Sequence, residues 1–114
     1  MILLAPALAL AAVTADSAHY RCFWVEGRLT VGNGTPSVRI WPRGTHRLLG
    51  VTTRTHESEG ADVIPRNVTT YLASNRTDRV WGHFRVCPLE ADRPGRMRAV
   101  MVVRARRLVS AGGP

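Results

Sequence analysis

The chain contains no lysine, few acidic residues and only two cysteines, and these shortages limit the functions to consider. Its 16 basic residues are all arginine and oppose eight acidic residues, which gives a net charge of +8. A base preference in the genome explains the missing lysine most simply, so the absence of lysine indicates nothing about function. The cysteines lie too far apart for a CxxC redox motif or a zinc knuckle. The strongly basic character favours anionic polymers as partners.

The chain also lacks the spacings that mark a metal site or an activated nucleophile. Its four histidines, His19, His46, His56 and His83, have no partner two or four residues away on one element. No serine lies in a G-x-S-x-G elbow. The sequence therefore predicts no catalytic residue, no metal and no cofactor. A small hydrolase-like enzyme in which His46 and His83 converge from different strands stays an alternative hypothesis.

The long apolar run of the chain lies at its start, over residues 1–18. It holds about a dozen apolar residues, too few for a helix that spans a bilayer and typical of a signal peptide. Small residues favour cleavage after Ala15 or after Ala18, although no basic residue precedes the run. An N-terminal strand or buried helix is the alternative. We expect export to the periplasm or the medium, one β domain over 19–109, and a disordered tail at 110–114.

Export changes the interpretation of Cys22 and Cys87. In the cytosol they would be separate buried thiols, whereas an oxidising compartment favours a disulfide between them. The closed loop exceeds about sixty residues, for which chain-entropy arguments give about 4 kcal/mol of stabilisation. A mature chain of about a hundred residues has a modest core, so the bridge would matter. It would link either two sheets or two neighbouring strands.

Beyond the apolar run, alternating apolar and polar residues predict β-strands. Asn33-Gly34 suits a tight hairpin turn, and Pro42-Arg43-Gly44 suits a second turn. Gly27 interrupts the first alternating stretch and indicates a bulge or a close backbone approach. The predicted strands are 20–31, Ser37–Trp41, Thr45–Val51, Val80–Cys87 and 97–105.

One short helix is a candidate over residues 65–72. Pro65 suits the first turn of a helix, and apolar residues follow at helical spacing. The β-branched run Val68-Thr69-Thr70 argues against it. Polar loops are expected at 52–62 and 74–78. Together these features predict an all-β fold, namely a small antiparallel β-sandwich or barrel of five or six strands with at most this one short helix.

Two segments of the chain carry specific motifs. Residues 27–51 contain N-G-T-P-S-x-R-I-W followed by G-T-x-R-x-L-G-V, and residues 80–102 contain G-x-F-x-V-C-P ahead of a P-G-R-M turn. In these segments the chain resembles a group of small bacterial secreted or periplasmic proteins. The resemblance implies export and a bacterial source, and it implies no catalytic or ligand-binding residue. The segment 52–78 lies outside it.

The predicted hairpin after Asn33 carries the candidate binding residues Arg39, Trp41, Arg43 and Arg47. Arginine over an indole forms a cation–π contact, and the same surface suits an anionic sugar or phosphate. The alternative is that the arginines only solvate one face of the hairpin. A second basic group, where solvation is the simpler interpretation, comprises Arg96, Arg98, Arg104, Arg106 and Arg107. No motif for nucleic-acid recognition accompanies either group.

The sequence therefore predicts a non-catalytic, exported, envelope-associated binding or structural module. Its basic hairpin face would meet an anionic envelope component, and the mature chain would have no transmembrane span. Besides the enzyme hypothesis above, the second alternative is a protein–protein interaction module that uses an exposed sheet edge to bind another protein.

Overall fold

The computed structural model describes residues 20–53 and 63–111. The predicted signal peptide, 1–18, and the last three residues lie outside this part of the chain. No helix within the described ranges is long and apolar enough to cross a membrane. The elements are, in chain order, β1 (Phe23–Val31), β2 (Val38–Pro42), β3 (Leu49–Val51), α1 (Arg66–Asn75), β4 (Arg79–Pro88) and β5 (Arg98–Ser110). Five strands and one short helix confirm the predicted all-β class.

The five strands form a closed barrel in the order β1-β2-β3-β5-β4, in which β4 returns to β1. Neighbouring strands run antiparallel except β3 and β5, which are parallel. This parallel pair departs from the predicted antiparallel arrangement, because the directions of an odd number of strands cannot alternate all the way round a closed ring. The strand order, with a helix between β3 and β4, is that of an OB-type Greek-key barrel.

Alternation along each strand separates an inner from an outer face of the barrel. On β4, Val80, Phe84 and Val86 are fully buried, and the side chains between them are partly exposed. α1 adds Val68 to the same core. Side chains at the alternate positions therefore face outwards, where a ligand can reach them. The buried apolar residues are Leu29, Val38, Ile40, Leu49, Val51, Val63, Ile64, Val68, Val80, Phe84, Val86, Val100 and Val102.

β3 begins at Leu49 rather than at the predicted Thr45. The Thr45 hydroxyl donates to the carbonyl oxygen of Pro42 at 2.9 Å and accepts from the backbone N–H of Arg47 at 3.3 Å. These local hydrogen bonds hold residues 43–48 as a loop and compete with strand pairing. Apolar alternation alone therefore placed the start of this strand too early.

α1 forms in spite of its β-branched residues and extends beyond the predicted 65–72. Val68 is fully buried, so packing outweighs the low helix propensity of its neighbours. The helix ends where Arg76 adopts a left-handed conformation with a φ of 50°. β5 extends to Ser110, which is the first residue of the segment predicted to be a disordered tail.

Gly27 lies where the backbone of β2 leaves no room for a side chain on β1. It is buried and pairs with Pro42. A β-carbon at this position would overlap with the carbonyl oxygen of Trp41. Of the two interpretations of this glycine in the sequence, the close backbone approach therefore applies.

Gly27→Ala should lower the free energy of unfolding by about 2 kcal/mol or more, because the added methyl group must displace the backbone of β2. Gly32→Ala is the matched control, since no atom lies within 4 Å of a β-carbon built there. This control should stay within about 1 kcal/mol of the wild type. Urea unfolding measures both variants, and equal stability of the two would contradict the close approach.

Cys22 and Cys87 form a disulfide that continues the ladder between β1 and β4. Phe23 pairs with Val86 in that ladder, so Cys22 and Cys87 are the next residues along. The bridge therefore links two neighbouring strands rather than two sheets. No free cysteine occurs in the described ranges.

Cys22→Ser combined with Cys87→Ser should lower the free energy of unfolding by about 4 kcal/mol, because the unfolded chain gains the entropy that the cross-link removes. The two residues are 65 positions apart, which makes this loop long. Urea unfolding in oxidising buffer measures the loss. A reducing agent should cause the same loss in the wild type and none in the double variant. A loss below about 1 kcal/mol would contradict this role of the bridge.

Candidate functional site

Outer side chains of three strands meet in one row across the barrel wall. Arg28 of β1 lies opposite Trp41 of β2 on one side and opposite Trp81 of β4 on the other. Directly opposed residues on one face have β-carbons about 5 Å apart. Because β1 is the middle strand of the row, its arginine lies between two tryptophans that are distant in the sequence.

Arg28, Trp41, Arg43 and Trp81 form the tryptophan-pair cluster. The two ring centroids are 6.0 Å apart, and the ring planes are inclined at 56°. The guanidinium carbon of Arg28 is 5.3 Å from the Trp41 centroid, and that of Arg43 is 5.0 Å from the Trp81 centroid. The Trp41 indole N–H donates to the carbonyl oxygen of Thr45 at 2.6 Å, which fixes the ring. Both guanidinium groups therefore lie within cation–π range.

The Nε–H of Arg28 is buried and has no hydrogen-bond partner among the residues that the structure describes. Leaving a buried donor unpaired costs about 1–3 kcal/mol. A methionine would cover similar apolar surface without that cost. Unpaired buried donors are rare in native proteins, and each one calls for an explanation. Stability alone therefore does not explain why an arginine occupies this position.

A second group of basic and aromatic side chains lies further along the same wall. Trp24 of β1 opposes Arg85 of β4, which in turn opposes Arg104 of β5. The guanidinium carbon of Arg106 is 4.0 Å from the Trp24 ring centroid. Trp24 and Arg28 are separated by about 13 Å of extended strand. We call Trp24, Arg85, Arg104 and Arg106 the second cluster, and the two clusters together the basic-aromatic face.

One carboxylate, that of Glu26, lies between the two clusters. Glu26 opposes His83 of β4, and its Oε2 is 3.5 Å from Nη2 of Arg43. The backbone N–H of Arg43 also donates to the carbonyl oxygen of Glu26 at 2.8 Å, so the main chain keeps the two residues together. The side chains are 64% exposed for Arg43 and 45% exposed for Glu26. Solvent therefore screens this ion pair.

The four predicted binding residues are not all in one place. Trp41 and Arg43 belong to the tryptophan-pair cluster. Arg39 lies on the outer face of β2 opposite Thr30, and its Nε donates to the carbonyl oxygen of Pro36 at 3.1 Å. Arg39 therefore stabilises the turn between β1 and β2.

Arg47 holds the loop between β4 and β5. Its guanidinium group donates to the carbonyl oxygens of Arg93 and Arg96 at 3.0 and 2.6 Å. It also forms an ion pair with the carboxylate of Asp92 at 2.6 Å. These three acceptors hold the Arg47 side chain, which therefore anchors the loop between β4 and β5.

Half of the residues of the basic-aromatic face are absent from the prediction made from the sequence, namely Trp24, Arg28, Trp81 and Arg85. Arg104 and Arg106 appear there only in the second basic group, for which solvation was the simpler interpretation. Alternation within one strand shows which residues face outwards, but it does not show which strand lies alongside. The pairing of β4 with β1 and β5 is the signal that groups these residues.

The two histidines of the enzyme hypothesis have different surroundings. His46 lines a cleft of about 210 Å³ with Arg47, Leu48 and residues 95–97. His83 lies on β4 between Glu26 and Arg106. Within the described ranges, no group of three or more His, Cys, Asp and Glu side chains is suited to hold a metal ion. His83 is not among the residues that line the cleft beside His46, so that cleft does not bring the two histidines together.

The barrel leaves part of one side of β5 without a neighbouring strand, which bears on the interaction hypothesis. β4 pairs with one side of β5 over 100–110, whereas β3 pairs with the other side over 98–100. Beyond Val100, α1 covers part of that second side, where the Asn67 side-chain amide donates to the carbonyl oxygen of Ala105 at 2.8 Å. The described geometry therefore keeps edge pairing through β5 as an alternative hypothesis.

The comparisons with known proteins do not indicate what the site binds, so its function is inferred from the chemistry of its residues. No protein-family model, no curated protein and no solved structure matches the chain. OB-type barrels bind ligands on the face of their second and third strands and the adjoining loops. The basic-aromatic face instead involves β1, β2, β4 and β5, so the strand order alone does not imply this site.

Arg28→Met should leave the free energy of unfolding within about 1 kcal/mol of the wild type, because it removes an unpaired donor together with a cation–π contact. Arg47→Met should lower it by about 1–3 kcal/mol, because three acceptors lose their partner. Urea unfolding followed by tryptophan fluorescence measures both. If Arg28→Met destabilises the protein as much as Arg47→Met does, Arg28 has a structural role.

Proposed function

We propose that this protein is a non-catalytic binding module that holds a linear anionic polymer on its basic-aromatic face. The observation that carries this proposal is that Arg28, Arg43 and Arg106 each lie over a tryptophan ring of the face. A ring restrains a guanidinium group while leaving its charge available to an anionic ligand.

Stacking suits the arginines of this face to bind oxyanions. A guanidinium group that lies over an indole uses its flat face, and its N–H groups point outwards in its own plane. Because the ring restrains the side chain, less rotamer entropy is lost on binding. Carboxylate, sulfate and phosphate groups match the guanidinium fork. Three arginines of the face have their guanidinium carbon within cation–π range of a ring, namely Arg28, Arg43 and Arg106.

The separation of the two clusters favours a polymer over a small anion. A small anion can contact one cluster at a time, since about 13 Å of strand separates Trp24 from Arg28. A linear polymer that binds one cluster brings its next anionic groups to the other at a high effective concentration. Weak individual contacts then add up to useful affinity without a deep pocket.

The disulfide between Cys22 and Cys87 supports an exported location. Such bridges persist in oxidising compartments, which include the periplasm and the medium. The polymer that we favour there is an anionic polysaccharide of the envelope. Single-stranded nucleic acid is less suited, because its bases need free aromatic faces. Each tryptophan of this face already has an arginine over its ring.

Arg43→Gln combined with Arg106→Gln should weaken binding of heparin, a model sulfated polysaccharide, by about tenfold at low salt. One stacked guanidinium group is lost from each cluster. The slope of log affinity against log salt concentration should fall in magnitude by about 2, because two ionic contacts are lost. Isothermal titration calorimetry at several salt concentrations measures both quantities.

The matched control removes the same charge from elsewhere. Arg66 on α1 and Arg93 in the loop between β4 and β5 are both exposed. Arg66→Gln combined with Arg93→Gln should keep the affinity within about twofold of the wild type. Equal weakening in both double variants would mean that net charge alone attracts heparin, and the proposal would fail. Tighter binding of a single-stranded oligonucleotide, lost in the first double variant only, would reassign the ligand to nucleic acid.

A further inference from the structure

We infer that Glu26 is an internal competitor of the ligand, because its carboxylate occupies Arg43 until an oxyanion of the polymer displaces it. This inference rests on the proposed function and adds a device that sets the affinity of the same face. The contact that carries it is the ion pair between Glu26 Oε2 and Arg43 Nη2 at 3.5 Å.

A backbone hydrogen bond places Glu26 and Arg43 side by side. The backbone N–H of Arg43 donates to the carbonyl oxygen of Glu26 at 2.8 Å, directly after the paired part of β2. This hydrogen bond keeps the main chains of the two residues adjacent, so that the carboxylate and the guanidinium group can meet without a change in the backbone. Glu26 therefore remains within reach of Arg43 before and after a ligand binds.

The ion pair is weak enough to be displaced. Its side chains are 64% and 45% exposed, so water and salt compete for both charges. The pair between Arg47 and Asp92 is shorter, at 2.6 Å, and two backbone carbonyl oxygens also hold that arginine. A ligand can therefore take Arg43 from its partner more easily than it can take Arg47.

The position of Glu26 also bears on the kind of polymer that binds. Glu26 lies on β1 between Trp24 and Arg28, so a chain that spans both clusters passes over its negative charge. A polymer with few anionic groups has too few oxyanions to take Arg43 from Glu26 and to contact the other arginines at the same time. The face is therefore suited to densely charged polymers.

A double-mutant cycle tests the competition. Glu26→Gln keeps the shape of the side chain and removes its charge, and it should strengthen heparin binding by about two- to fivefold at low salt. In a chain that already carries Arg43→Gln, the same change should strengthen binding by less than about 1.5-fold, because the contested guanidinium group is gone. Isothermal titration calorimetry of the four proteins measures the coupling.

Asp92→Asn is the control for charge, since it raises the net charge by the same amount away from the face. The two carbonyl oxygens that accept from Arg47 remain in place to hold the loop. This variant should strengthen binding by less than about 1.5-fold. An equal gain in Asp92→Asn and Glu26→Gln would overturn the inference.

These titrations, together with that of Arg43→Gln combined with Arg106→Gln, separate failure of this inference from failure of the proposed function. If Glu26→Gln strengthens binding equally with and without Arg43→Gln, the competition is absent while the binding face stands. If Arg43→Gln combined with Arg106→Gln does not weaken heparin binding, the binding face itself is wrong and the inference falls with it.

Discussion

The pairing of β1 with β4 closes the barrel, and the arrangement of the surface depends on that pairing. β1 is hydrogen-bonded to β2 on one side and to β4 on the other, so an outward residue in its middle has neighbours from both strands. Arg28 therefore meets Trp41 and Trp81. The bridge between Cys22 and Cys87 continues the same ladder and resists its separation. One set of backbone contacts thus shapes the core and positions the basic-aromatic face.

Local features of the sequence were enough to predict the strands but not their neighbours. Alternation and turn residues identify which segments extend and which side chains face outwards. The pattern of apolar residues misplaced two element boundaries. Local hydrogen bonds of Thr45 delay the start of β3, and the burial of Val68 favours α1 in spite of its β-branched residues. The basic-aromatic face depends on contacts between distant segments, and no property of a single strand encodes them.

The cysteines nevertheless contained part of the missing information. If a bridge joins two antiparallel neighbours, counting away from it in opposite directions along the two strands gives the register. Counting from Cys22 and Cys87 leads to Phe23 opposite Val86 and then to Arg28 opposite Trp81, which is the observed pairing. What the sequence left open was whether the bridge joins two sheets or two neighbours. Resolving that one choice is sufficient to place Trp81 opposite Arg28, whereas placing Trp41 there also requires the register of β1 with β2.

The way in which the arginines are held decides how much of their charge a ligand can use. An arginine in a close ion pair, such as Arg47 with Asp92, has its charge neutralised and its donors occupied. An arginine over an indole ring is restrained without an opposing charge, as Arg106 is over Trp24. A surface whose arginines are held by rings therefore keeps its positive potential, which is the property that the proposed binding of a polyanion requires. The carboxylate of Glu26 lowers the positive potential of the face but does not cancel it.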